Sequence, residues 1–349
     1  MIYLNGRSYP ENLAQEAKLA ATIAITDKED SFLYQTAKFI EEFYNNKDYV
    51  EVLTSGSTGK PKEIRAEKRK MLASAAMTVT FLNLKKGDSA LLCMPLEHIA
   101  GKMVVVRSLY QKLNLIVRKP CANPFADAPL NLNFAAITPM QAFCALSEEK
   151  STKILASCQK IIIGGGFIDQ ELHTKLCNLP CEIYHSYGMT ETLSHIALKR
   201  ISTENKAFKP LPGVSVSLSE RKTLIIKAPK ICSETLETND IAQINESGFI
   251  IKGRIDNIIN SGGIKLIPEE IEEKLSAVIK TPIAVTARKS LKFGEEAILI
   301  SEKPLDEKLI NNAYLTLNKY EKPKAIIVSK IPLTATQKID RFKLKAMFY

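Results

Sequence analysis

CxxC pairs are missing from this chain, the closest cysteine spacing being Cys177-x3-Cys181. Its seven cysteines stand at 93, 121, 144, 158, 177, 181 and 232, and only four histidines accompany them. That argues against a zinc site, and the odd, scattered count disfavours a secreted disulfide framework. The first residues, MIYLNGRSYPEN, lack the long apolar core of a signal peptide. No apolar run reaches the length of a membrane span. Internal repeats, low-complexity tracts, helix-turn-helix patterns and aromatic-rich RNA-binding motifs are absent as well. These absences lead to the expectation of a cytoplasmic protein with no membrane span and no nucleic-acid partner.

What is present fits a globular chain of two domains: 349 residues, 45% hydrophobic and 25% charged. Lys and Arg number 48 against 38 Asp and Glu, a net charge of +10 that points to an anionic partner. The excess is not gathered in one place, since residues 254–349 hold 17 basic and 12 acidic residues, half of it.

The spacing of Phe32, Phe39, Ile40 and Phe43 predicts a helix over 31–45. Short apolar runs then alternate with helical stretches: ALLCM (90–94), LNLIV (113–117), FAAIT (134–138) and KIIIG (160–164). Strands alternating with helices imply an α/β fold with a largely parallel sheet. From 211 to 252, VSVSL, TLIIK and GFIIKG read as antiparallel strands. Beyond them lies a smaller α+β unit, with a helix at 268–279 that starts on Pro268, and strands IAVTAR, EAILI and AIIVS. The expected division is 1–254 and 255–349.

Two segments carry chemistry. Thr54, Ser55, Gly56, Ser57, Thr58, Gly59, Lys60 and Lys62 make a loop rich in N–H and O–H donors with added positive charge, able to wrap a polyphosphate. It is not the P-loop, whose glycines stand further apart. A surface turn has the same composition, but the order TSGSTGKPK is far more specific. The second segment runs from Tyr184 to Thr192 and includes Ser186, Tyr187, Gly188, Thr190 and Glu191. Glu191 can hold Mg²⁺, a hard cation that prefers oxygen. Thr190 can donate to a phosphate oxygen, and Tyr187 can offer a ring face to a base. A plain polar loop at a strand end remains the alternative.

TSGSTGKPK, YGMTET, GRIDNIINSGG and PLTATQKIDR stand in the order seen in adenylate-forming enzymes, and the chain resembles that superfamily from about residue 50 onward. The superfamily comprises acyl-CoA synthetases, luciferase and peptide-synthetase adenylation domains. The resemblance implies a large ATP- and acid-binding adenylation domain and a small mobile lid. It implies a carboxylate attacking the α-phosphate of ATP, followed by coenzyme A displacing AMP. ATP, Mg²⁺, coenzyme A and a small carboxylic acid are the implied ligands. It further implies a catalytic role for Lys338, with Thr190 and Glu191. Gly164, Gly165 and Gly166 would pack against adenine or acyl group, Asp240 and Arg254 would hold ribose, and Asp256 would lie at the interdomain hinge. Two departures stand out: Asn239 replaces a glycine beside Asp240, and Gln337 replaces the glycine before Lys338.

Only 53 residues precede Thr54, which implies a reduced N-terminal subdomain. PLEHIAGK (95–102), Thr138 with its following Pro-Met-Gln, and Gly164–Gly166 are similar to segments of the o-succinylbenzoate–CoA ligases of menaquinone biosynthesis. In that subgroup His98 takes a gate-like place by the acyl tunnel, while Ala100 and Ile264 depart from its commoner Ser and Glu. o-Succinylbenzoate carries a second carboxylate that must stay bound, which calls for a cation. Lys102 and Arg107, on the helix after His98, are the candidates, Lys102 being four residues on and on the same face. Another aryl or fatty acid, or a carrier protein in place of coenzyme A, stays open as an alternative.

Overall fold

The computed structural model describes residues 1–28, 31–53, 63–166, 168–204, 206–334 and 338–349, leaving aside the side chain of Thr190. By its contacts the chain forms two compact units. The first is Met1–Ser215 with Lys227–Thr235, and the second is Val216–Ile226 with Leu236–Tyr349. They do not divide at 254/255, because the antiparallel strands on either side of Thr235 group with the residues that follow them.

In the first unit, the strands are β1 (Ile2–Leu4), β2 (Arg7–Tyr9), β3 (Tyr49–Leu53), β4 (Glu63–Glu67), β5 (Ser89–Leu92), β6 (Asn114–Val117), β7 (Phe134–Ile137), β8 (Lys160–Ile163), β9 (Glu182–Gly188), β10 (His195–Arg200) and β11 (Lys209–Pro210). Nine of them form one sheet in the order β11-β10-β9-β8-β7-β5-β6-β1-β2, and β3 pairs with β4 in a separate hairpin. Strands β6, β5, β7, β8 and β9 run parallel. The apolar runs foreseen at 90–94, 113–117, 134–138 and 160–164 are the middle of this sheet. They are apolar on both faces because helices cover both faces. Leu91, Ala135, Ile137, Ile161 and Ile163 pack with Ala142, Leu155 and Leu172, from the helices Pro139–Leu146, Glu149–Ser157 and Gln170–Cys177. The helix Ile99–Gln111 lies against β5 and β6, and the helix Phe32–Tyr44 against β6. Phe39 and Ile40 are buried on the latter, as their spacing predicts, and Phe32 and Phe43 are half-buried.

The second unit holds β12 (Ser215–Leu218), β13 (Thr223–Lys227), β14 (Leu236–Asn245) and β15 (Gly248–Arg254) in one sheet. A further sheet is built from β16 (Ile259–Ser261), β17 (Ile264–Leu266), β18 (Ile283–Ser290), β19 (Gly294–Ser301) and β20 (Ala325–Val328). The alternating residues of β18 and β19 serve two small cores. Val285, Ala287, Ala297 and Leu299 pack with Ile271 and Leu275 of the helix Pro268–Ser276. Ala284, Ile298 and Ile300 pack with Leu344 of the last helix, Arg341–Phe348. The sheet therefore fixes both the foreseen helix at Pro268 and the chain end that follows Lys338.

Candidate active site

The parallel strands bring their carboxyl ends to one edge of the sheet. Strand β5 lies between β6 and β7, so the chain leaves it in one direction and returns on the other side. Such a switch point opens a crevice beyond the strand ends, the usual ligand position in an open α/β sheet. The residues after β5 lead to His98, which precedes the helix Ile99–Gln111 and is exposed. Strand β7 leads directly into Thr138, β8 into Gly164, Gly165 and Gly166, and β9 contains Ser186, Tyr187 and Gly188. Candidates 90 residues apart in sequence thus share one edge.

Local bonds set this edge. Thr138 caps the helix Pro139–Leu146 through a capping box: its hydroxyl accepts from Gln141 N and the Gln141 side chain accepts from Thr138 N. Gln141 Nε2 donates onward to the carbonyls of Cys93 (3.1 Å) and Cys121 (3.0 Å), tying the end of β7 to the end of β5. The Thr138 hydroxyl is therefore an architectural element of the edge. Gly164 lies so close to Ser186 Oγ that a Cβ would overlap it. At Gly188 a Cβ would overlap Ser194 O, so β9 and the start of β10 meet there backbone to backbone. The Tyr187 ring packs on Phe208, with centroids 5.6 Å apart.

The phosphate-loop candidates Thr54–Gly59, Lys60 and Lys62 lie outside the described residues, as does the side chain of Thr190; both stems of that loop are described. Leu53 and Glu63 are paired across the β3–β4 hairpin. Leu53 bridges to His98, and Leu53 N donates to Glu97 O at 3.2 Å. On the other stem, Ile64 and Arg65 line a cavity of about 200 Å³ together with Lys70 and the exposed Glu191. One stem thus stands beside His98 and the other beside Glu191. Glu191 sits in the 3-10 turn Thr190–Thr192. Among the described residues no three His, Cys, Asp or Glu gather as a metal cage. Mg²⁺ needs none, since it keeps water and phosphate oxygens and takes one or two carboxylates, so the donor chemistry fits.

Lys102 and Arg107 part ways. Lys102 is already engaged within the fold: its ammonium is buried, donates to Glu51 O at 2.7 Å, stands 3.7 Å from Glu42 Oε2 and lies 4.8 Å from the Phe39 ring centroid. It ties strand β3 to the helix and is spent on that task. Arg107 is only 3% exposed. Its Nη2 donates to Ser194 Oγ at 2.8 Å, and its Nε is buried without a partner. Among the described residues no carboxylate pairs with it, and burial alone draws its pKa down. Next to it, His195 is buried between Thr78 Oγ1 (3.0 Å from Nε2) and Ser194 Oγ (3.4 Å from Nδ1). Burial first, and the charge of Arg107 second, hold its pKa well below 6.5. Ser194 and His195 were not foreseen. Their value lies in contact with Arg107, 87 residues away from Ser194, for which the local sequence has no signal.

In the second unit, the register of β14 and β15 sets Asp240 opposite Arg254. Arg254 Nη1 reaches Asp240 Oδ1 and Nη2 reaches Asp256 Oδ2, each at 3.0 Å. Asn239, which stands where the family has glycine, donates to both oxygens of Asp256. The ribose candidates and the hinge candidate therefore form one polar cluster. Lys338 is exposed, on a loop before the last helix.

Comparison with known proteins identifies a family and relatives. A family model described as AMP-binding enzyme matches residues 13–229. The 2-succinylbenzoate–CoA ligase of Lactococcus lactis is 27% identical over 328 residues, 87% of this chain and 72% of its own. That of Bacillus subtilis is 26% identical, over 90% of this chain and 73% of its own. An acyl-CoA synthetase (AMP-forming)/AMP-acid ligase II-like protein from Dyadobacter fermentans is 32% identical, with 93% of this chain and 97% of that one covered at a TM-score of 0.65. The o-succinylbenzoate CoA synthetase of Bacillus subtilis, solved with its acyl-adenylate intermediate, shares the fold at a TM-score of 0.71 over 84% of this chain and 68% of that one.

Proposed function

The chain belongs to the AMP-binding enzyme family, and from that premise we propose that it is an ATP-dependent, AMP-forming acid–CoA ligase acting on o-succinylbenzoate. The acid's aliphatic carboxylate oxygen bonds to the α-phosphorus of ATP as the bond to pyrophosphate breaks. The sulfur of coenzyme A then bonds to the acyl carbon, AMP leaves, and the thiol proton is lost to solvent. The observation that supports this reading best is the shared strand-end edge. It holds His98, Gly164 to Gly166, Ser186 to Gly188 and Glu191, with both stems of the Thr54–Lys62 loop beside them.

The residues divide the work. The loop at 54–62 would cradle the β- and γ-phosphates, and Thr190 would donate to phosphate oxygen. Glu191 would hold Mg²⁺, which when bound offsets the phosphate charge. Asp240, a carboxylate with two acceptor oxygens, suits ribose hydroxyls, and Arg254 holds it in place. Lys338 would stabilise charge that builds between attacking carboxylate and leaving pyrophosphate, a transition-state effect above all. Residues 255–349 would act as the lid that delivers it.

Arg107 narrows the acid. A buried guanidinium without a carboxylate partner is costly in a protein interior. A second, ring-borne carboxylate would satisfy it, whereas a fatty acyl chain would leave it bare. The test is CoA-dependent AMP release with o-succinylbenzoate, its analogue lacking the ring carboxylate, benzoate and medium-chain fatty acids. Preference for the dicarboxylate is expected. Turnover of fatty or simple aryl acids but not of o-succinylbenzoate would overturn the assignment. Activity only with a phosphopantetheinylated carrier protein would replace coenzyme A as acceptor.

A further inference from the structure

Lys338 can act only if its loop is held in place, and the described parts of that loop show how. Leu333 and Ile339 form an antiparallel bridge at its base. Thr334 N donates to Lys338 O at 2.7 Å, Lys338 N donates to Thr334 Oγ1 at 3.1 Å, and Asp340 N donates to Pro332 O at 2.8 Å. One stem is fixed by Ile331 N donating to Glu302 Oε1 at 3.2 Å. The other stem is fixed by Arg341, first residue of the last helix. Its Nη1 and Nη2 meet Glu272 Oε1 and Oε2 at 2.7 and 2.6 Å. Arg341 Nη1 also donates to Val285 O at 3.2 Å, while Val285 N donates to Glu272 Oε1 at 2.6 Å. Glu272 belongs to the helix Pro268–Ser276, so the fork joins that helix, β18 and the last helix at one point.

A largely buried ion pair is an inefficient way to stabilise a fold, since apolar residues of the same volume do as well or better. What a two-pronged guanidinium–carboxylate pair supplies is a fixed distance and direction. We propose that the Glu272–Arg341 fork is a positioning device for Lys338, holding the base of its loop so that the ammonium meets the reacting phosphate without a search. The proposal rests on the reading of Lys338 as the catalytic lysine. Arg341 and Glu272 are positioning residues in this scheme and touch no substrate. Losing such alignment lowers kcat and leaves ground-state binding alone.

The experiment measures acid-dependent ATP–pyrophosphate exchange in the full chain carrying Arg341→Lys, Glu272→Gln, Lys338→Ala or Lys338→Ala with Arg341→Lys, alongside thermal unfolding. Arg341→Lys keeps the charge and loses the fork. It is expected to lower kcat roughly tenfold while KM for ATP and acid stays within about twofold and unfolding stays cooperative. In the Lys338→Ala background the same change should cost nothing more, because there is no lysine left to aim. Wild-type kcat in Arg341→Lys, a rise in KM instead, or the same loss with and without Lys338 would each overturn the proposal. Near-normal exchange by Lys338→Ala would bring down the reading of the lysine itself, and the proposal with it, a separate failure. Should Arg341→Lys not fold, Glu272→Gln carries the same comparison, because it keeps the shape and one acceptor oxygen.

Discussion

Each unit holds an arginine with little exposure, and the two are treated in opposite ways. Arg341 is forked onto Glu272, and although burial works against its charge, the Glu272 hydrogen bonds and charge outweigh it and raise its pKa. Arg107 is more deeply buried, has one serine hydroxyl and an unpartnered Nε, and burial pulls its pKa down. An arginine with a built-in carboxylate is already satisfied and has little to gain from another anion. One without carries the cost of its burial uncompensated, and on the proposed function the ring carboxylate of the acid would offset it. The two differ in physical state, although both residues are arginines on helices.

The largest expected effect breaks the satisfied pair. Glu272→Ala leaves Arg341 charged and unpaired, and the resulting loss of stability is about 3–5 kcal/mol, read by urea or thermal unfolding. A loss below about 1 kcal/mol would mean the pair is screened like a surface one, and the contrast would fail. Arg107→Met should do the reverse. Removing an uncompensated charge for an apolar side chain of similar length leaves stability unchanged or raised. The price appears in the acid, with kcat/KM for o-succinylbenzoate falling roughly 100-fold, about 2.7 kcal/mol. The analogue lacking the ring carboxylate should lose less than about threefold. Equal losses for the two acids would show that Arg107 does not read the second carboxylate.

That contrast could not have been drawn from the sequence. The buried runs of β5 to β8 were legible because a strand covered on both faces is apolar throughout. The strand LETNDIAQIN was not, because polar residues interrupt its apolar pattern: Asp240 and its neighbour Asn239 stand in the middle of β14. Motif order led to His98, Gly164 to Gly166 and Ser186 to Gly188, which lie at or after the ends of β5, β8 and β9. It could not foretell where a long cation goes. Lys102 shares helical spacing with His98, yet the Glu51 carbonyl, 51 residues away, captures its ammonium. Arg341 and Glu272 are 69 apart, and nothing local to either marks the pairing. Side-chain partners chosen across the fold are a property of packing, which periodicity does not encode.

The smallest effect tests the neighbourhood of Arg107. His195 is buried, and its imidazole is held neutral by that burial and by the adjacent guanidinium. In the unfolded chain this histidine takes up a proton as pH falls through about 6.5. In the folded chain it does not, until a much lower pH. The unfolded state thus binds more protons in that window, so the stabilising contribution is complete above pH 6.5 and is lost as pH falls below it. The slope is at most about 1.4 kcal/mol per pH unit, and His195→Gln should remove that part of it, as measured by unfolding at pH 5 to 7.5. A dicarboxylic acid bound against Arg107 would offset the charge that helps suppress His195, so saturating o-succinylbenzoate should make the slope shallower. The monocarboxylate analogue should leave it unchanged. Identical slopes with the two acids would place the second carboxylate elsewhere, while a slope untouched by His195→Gln would mean that the imidazole already titrates in the folded protein.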